Sequence, residues 1–179
     1  MTAIDREKLV AKEETSAPRR SWLLLTAAIV ALVVGFGTLA GGVFGAWYTW
    51  DQAVAQDVVT AEDAAIAETA VRGPFTMWAQ SDIITHHQLE NTGGLYYAQM
   101  PRTIPQVDEN GAAVLDENGE QVMVPNEARA SWMTATTLTT ALGLGIVAYA
   151  LSAFAMVVGL TLVMIGFVFL YIRKRAVLL

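Results

Sequence analysis

The chain of 179 residues contains no cysteine. That excludes a disulfide framework, an iron–sulfur cluster and a cysteine zinc site. Charge is missing over two long stretches. No Asp, Glu, Lys or Arg occurs in the thirty residues 21–50, or in the forty-three residues 130–172. Basic residues are scarce in between: residues 51–129 hold Arg72, Arg102 and Arg129 against thirteen acidic residues, a net of −10. With an overall net charge of −6, the composition argues against nucleic acid and against binding to anionic lipid. Histidine is limited to two adjacent residues, His86 and His87.

What is present is apolar. Hydrophobic residues make up 54% of the chain, high for a soluble domain. About 20 apolar residues cross the hydrocarbon core of a bilayer, so each charge-free run is long enough. The first run has Trp22 at one end and Trp47, Tyr48 and Trp50 at the other, the amphipathic rings expected at two membrane interfaces. Arg19-Arg20 ahead of this run invites a signal-peptide reading, but the run exceeds an h-region and no clear A-x-A site follows. We read it as an uncleaved anchor. The second run has a Thr-rich first part, "ASWMTATTLTTALG", and a lipid-grade last part, "AYALSAFAMVVGLTLVMIGFVFLYI". One long helix from about residue 127 fits it better than two crossings, because no Pro, Asn or charge is present to turn the chain.

The expected architecture is a mainly α membrane protein with two transmembrane helices flanking a small α/β extracytoplasmic domain that carries a short β-meander. The segments are a cytoplasmic tail (1–20), transmembrane helix 1 (21–50), an acidic outer domain (51–129), a long helix containing transmembrane helix 2 (130–172) and a cytoplasmic end (173–179). Five Lys/Arg precede the first span and Arg173, Lys174 and Arg175 close the second. The positive-inside rule then puts both termini in the cytoplasm of a plasma-membrane protein, with residues 51–129 outside.

Within the outer segment, Thr60 with Asp63 three residues later predicts a capped short helix over 61–71. Gly73 ends it, and Pro74 starts a second helix over 74–91 that stops at Gly93-Gly94. "DENG" stands at 108–111 and again at 116–119. Each Asn-Gly is a turn signal between β-prone pieces, which predicts a three-stranded meander with Pro105 on an edge strand. The same stretches fail as calcium loops, because Gly follows Asn directly.

On a helical wheel of 74–91, Asp82, His86 and Glu90 fall in the middle of a face that also carries Phe75, Trp78, Ala79, Ile83 and Leu89. His and carboxylate one turn apart are the residue types of a metal or acid–base site. Adjacent helical residues point about 100° apart, so His86 and His87 do not share a metal. The expectation is therefore a structural or docking face without catalytic, cofactor-binding or metal residues. Phe75 and Trp78 would pack on the second helix or on the membrane-facing floor, and the polar half would pair with Arg102 or Arg129 or meet a partner. Asp82, His86 and Glu90 stay as the minority metal candidates.

The spans carry small-residue stripes. Gly37, Gly41 and Gly45 recur every four residues in the first, and Ala148, Ser152, Ala155 and Gly159 form a comparable stripe in the second. Such spacing lets helices approach closely in lipid, within one chain or in a homo-oligomer or membrane-protein partner.

Gly73-Pro74-Phe75, Ala79-Gln80, His87, Thr92-Gly93-Gly94, Tyr97-Ala98, Arg129-Ala130 and Met133-Thr134-Ala135 together resemble a group of small actinobacterial two-span membrane proteins, over roughly residues 20–172. Such proteins often carry the label "aromatic ring-opening dioxygenase". That label implies iron held by two His and a carboxylate, with a buried substrate cavity; adjacent histidines in a small loop do not supply them. The expected function is a non-enzymatic accessory, assembly or interaction component of a cell-envelope or respiratory complex, with no cofactor. The alternative is a metal-dependent, dioxygenase-type oxidoreductase using the His86 helix face.

Overall fold

A computed structural model describes residues 3–178, with side chains over 22–175. It is mainly helical, with two long apolar helices and a small two-stranded sheet between them in the chain. The order is α1 (Ala3–Ala55), α2 (Pro74–Asn91), a 3-10 turn (Tyr97–Gln99), β1 (Thr103–Pro105), β2 (Met123–Pro125) and α3 (Glu127–Leu178). Two compact units emerge: one from residues 1–48 and 148–179, the other from 49–147. The expected single long helix from about residue 127 is α3. The first helix differs from expectation at both ends: it begins at Ala3 instead of about Ser21, and runs on to Ala55.

In the first unit, segments of α1 and α3 pair antiparallel. Both helices are long and apolar enough to cross a membrane, and few of their apolar side chains are buried. Val33 and Phe154 are each 67% exposed. Polar groups within these helices are satisfied locally. Thr26 Oγ1 donates to the Trp22 carbonyl at 2.7 Å and Thr161 Oγ1 to that of Val157 at 2.8 Å, the four-back bond that quiets a hydroxyl in an apolar setting.

In the second unit, α2 begins where Pro74 fits the first turn, with Thr76 Oγ1 accepting from Gly73 N–H at 3.2 Å and donating to the Gly73 carbonyl at 3.0 Å. It ends where Gly93 and Gly94 take φ of 61° and 82°, the left-handed conformation that costs glycine least. α2 lies antiparallel to the start of α3. Met77 Sδ would stand 2.7 Å from a methyl group at Gly145, while Gln88 Nε2 donates to Ser131 Oγ at 2.6 Å. Beyond α2, Trp132 Nε1 donates to the Leu95 carbonyl at 3.0 Å and its ring lies 5.4 Å from that of Tyr96. Asn126 ties the start of α3 to the loop before β1, donating through Nδ2 to the Pro101 carbonyl at 3.0 Å and accepting from Arg129 N–H at 3.2 Å.

Two expected elements are corrected. Residues 61–71 form turns, not a helix. The Thr60 hydroxyl does not cap: Oγ1 accepts from Thr69 N–H at 2.9 Å across the loop, Thr60 N–H donates to the Thr69 carbonyl, and Val59 bridges Ala70. The three-stranded meander is a two-stranded sheet. β1 and β2 pair directly and antiparallel, with Thr103 opposite Pro125 and Pro105 opposite Met123. The middle piece contributes only bridges, Val107 to Ala113 and Leu115 to Gln121. Both DENG stretches do turn the chain, and in the same way. Asp108 Oδ1 accepts from Asn110 and Ala112 N–H, and Asp116 Oδ1 from Asn118 and Glu120 N–H, all at 2.8–2.9 Å. Gly111 and Gly119 each have φ 79°.

Candidate functional site

Two places gather the residues singled out by the sequence. The first is the seam between the apolar helices. Close approach there is carried by Gly35, Gly42, Gly45, Gly159 and Gly166. A methyl group at Gly159 would stand 2.5 Å from Leu39 N and 2.8 Å from the Gly35 carbonyl oxygen; one at Gly35 would stand 2.8 Å from Val163 N. Gly42 faces the Ser152 carbonyl and Met156, Gly45 faces Ser152 Oγ, and Gly166 faces Leu32 and Ala28. Backbone therefore meets backbone, the contact that dispersion rewards in lipid.

The expected stripes, drawn for packing within one chain or against a second one, divide at this seam. Gly45, Ser152 and Gly159 lie in the seam, whereas Gly37 and Gly41 face open space. Ala148 and Ala155 are half-buried. The seam on α1 runs through Ala28, Gly35 and Gly42, each seven apart, with Ala31 and Gly45 three residues beyond the first and last of them; on α3 it runs Ser152, Gly159 and Gly166, each seven apart. Reading the glycines at every fourth position selects a stripe that drifts around the helix, while a 3.5-residue period stays on the seam.

The second place is the outer stripe of α2. The wheel grouping splits, with Ala79 and Ile83 on the buried side and Phe75 and Trp78 on the exposed one. Phe75 is 77% exposed and Trp78 53%, in line with exposed Asp82, His86 and Glu90. The buried side is made by Met77, Ala79, Ile83 and Gln88. His86 Nε2 lies 3.3 Å from Glu90 Oε1, one turn on. The histidine rings diverge, their centroids 6.3 Å apart. His87 instead reaches Asp63 in the preceding loop, Nε2 to Oδ2 at 2.6 Å. That bond holds the Asp63 carboxyl below its usual range, because a donor to the ionised form favours it.

The expected pairing of this face with Arg129 is also corrected. Arg129 lies over the Tyr97 ring, 3.8 Å from its centroid, and its Nε donates to the Tyr97 carbonyl at 3.3 Å. Among the described residues no three His, Asp or Glu side chains converge as metal ligands; Asp82 does not join His86 and Glu90. Of the residues that carry the resemblance, Gly73, Pro74, Thr92, Gly93 and Gly94 stand at the two ends of α2. Thr92 Oγ1 donates within reach of the Gln88 carbonyl at 2.8 Å and the Leu95 carbonyl at 2.7 Å. His87 ties α2 to the loop, and Phe75 is the outermost apolar residue. No family model, no curated protein and no solved structure matches the chain.

Proposed function

We propose that this chain is a non-enzymatic integral protein of the plasma membrane. Its two apolar helices span the bilayer, both termini face the cytoplasm, and residues 51–129 lie outside. There it serves as an accessory, assembly or interaction component of a cell-envelope or respiratory complex. The observation that carries this reading is the inversion of polarity in the first unit. Large apolar side chains face outward along both helices, and small residues fill the seam between them. Such an arrangement is stable in hydrocarbon and unfavourable in water. The aromatic cluster of Phe44, Trp47 and Tyr48, with ring centroids 5.7 and 6.1 Å apart, and Arg175 over Tyr171 fit interface anchors at opposite ends. The metal-dependent alternative has no comparable observation behind it.

The absence of cysteine makes the test direct. Single variants Glu117→Cys and Ser16→Cys are exposed to a membrane-impermeant maleimide in intact cells. Glu117→Cys is expected to label, and Ser16→Cys only after permeabilisation. The opposite pattern overturns the orientation, and extraction of the protein by alkaline carbonate overturns the span. Pull-down in mild detergent with mass spectrometry tests the accessory role, and recovery of this chain alone at native expression counts against it.

A further inference from the structure

We propose that a groove between α1 and α3, at the basic end of the first unit, holds one acyl chain of an anionic phospholipid, whose phosphate meets the basic residues at that end. The proposal rests on the membrane-spanning reading above and lies wholly within the first unit.

Register brings the basic residues together. Gly35 lies against Gly159, Gly42 against Ser152 and Ala28 against Gly166. Each seven residues along α1 are matched by seven back along α3. One further step of seven puts residue 21 level with Arg173. Arg19 and Arg20 therefore stand at the level of Lys174 and Arg175, and five basic residues from two distant segments share one end of the helix pair.

Charge then selects the headgroup. The chain is acidic overall, but thirteen of its 17 acidic residues lie in 51–129 and the other four before residue 15. Residues 15–50 and 128–179 hold none. This end is locally basic in spite of the total, and Arg and Lys on a membrane-proximal turn favour anionic over zwitterionic headgroups.

The groove selects the tail. It is lined by Leu23, Ala27, Val30 and Val34 of α1 and by Ile165 and Phe169 of α3. The Thr26 hydroxyl beside it is already committed to the Trp22 carbonyl at 2.7 Å, so the lining suits a hydrocarbon ligand. Four residues beyond Phe169 is Arg173, and four before Leu23 is Arg19; each lining stripe thus runs into the basic end. From Leu23 to Val34 the helix rises about 17 Å, close to half of a hydrocarbon core roughly 30 Å thick. That is the depth of one leaflet, hence of one acyl chain entering from the basic end. A partner helix would call for a face along the whole span.

The test uses the full chain reconstituted in phosphatidylcholine bilayers with a trace of spin-labelled phosphatidylglycerol or phosphatidylcholine. Electron paramagnetic resonance reads the fraction of each probe held immobile by the protein. Phosphatidylglycerol is expected to be preferred several-fold. The combined variant Arg173→Gln, Lys174→Gln, Arg175→Gln should reduce that preference at least twofold. Ala27→Phe or Val30→Trp, which fill the groove, should do the same, while Val33→Phe, exposed and off the groove, should change nothing. Equal retention of the two lipids by the wild type overturns the site. Loss of preference in the charge variant alone, with both groove variants unaffected and their helix signal intact, means headgroup attraction only and overturns the groove. A disulfide between copies at Ala27→Cys under high lipid dilution puts a second copy there and overturns lipid as the occupant. In each of these cases a chain that resists alkaline carbonate keeps its spans; extraction by carbonate brings down both readings.

Discussion

The two units of this chain solve opposite packing problems. In the first, two helices meet through glycine and alanine and leave their large side chains outside. Packing there depends on what is absent from the seam, because a single methyl group at Gly159 would meet backbone atoms that cannot yield. In the second, short pieces of chain are held by specific polar contacts: an indole N–H on the Leu95 carbonyl, an amide on Ser131, an aspartate in each of two turns. The first tolerates change on its outside and none in its seam. The second spreads its stability over many small terms.

This contrast can be broken in graded steps. The largest effect is expected in the seam: Gly159→Val should cost about 3 kcal/mol, as overpacking does, whereas Gly41→Ala, facing open space, should be neutral or stabilise by up to about 1 kcal/mol. Thermal unfolding in detergent, followed by helix signal, separates the two; equal effects would break the distinction. Next is Trp132→Phe, which keeps the ring on Tyr96 but leaves the Leu95 carbonyl without its indole donor. A loss of about 1–2 kcal/mol is expected, read as faster amide exchange in the segment after α2 with no change in the apolar helices.

Smaller again is Gly119→Ala. Its φ of 79° strains any side chain by about 1 kcal/mol, and chemical-shift changes should stay within the second DENG turn. Asp63 gives the smallest effect, because the Asp63–His87 bond is exposed. Its folded pKa lies below the unfolded value, about 3.9. The bond's stabilisation is thus complete above that value and is lost as pH falls through the lower folded value. Asp63→Asn should abolish this acid-side slope, and exchange of the amides of the Thr60–Thr69 loop is the measurement.

Much of the fold was legible. Charge-free runs announce the two long apolar helices, because each run is long enough to form many turns without a residue that must meet water. Pro74 and Gly93-Gly94 bound α2 because both act on their own backbone dihedrals. The failures involve partners distant in sequence. Thr60 had two uses for its hydroxyl, a cap or a bridge to Thr69, and only the folded loop decides. Asn-Gly marks each turn but not which strands pair after it, so β1 and β2 met directly where a meander was expected. On α2 the expected face divides: Ala79 and Ile83 are buried with Met77, and Phe75 and Trp78 turn outward. Phe75 and Trp78 outweigh Met77 in hydrophobicity, yet Gly145 offers a notch that fits the flexible thioether.

The twin turns have an engineering consequence. β1 and β2 pair directly, and the excursion between them is pinned at its base, where Gln106 N–H donates to the Val122 carbonyl and Val114 bonds both Gln106 and Val122; the turn tips at Glu109 and Glu117 lie outside those bonds. The two turns repeat every eight residues with the same aspartate and glycine roles. A third such module, or a short affinity epitope placed between Glu117 and Asn118, should be carried without disturbing Asn126 or the start of α3. The chain thus comes with a handle for purification that leaves both of its helical faces untouched.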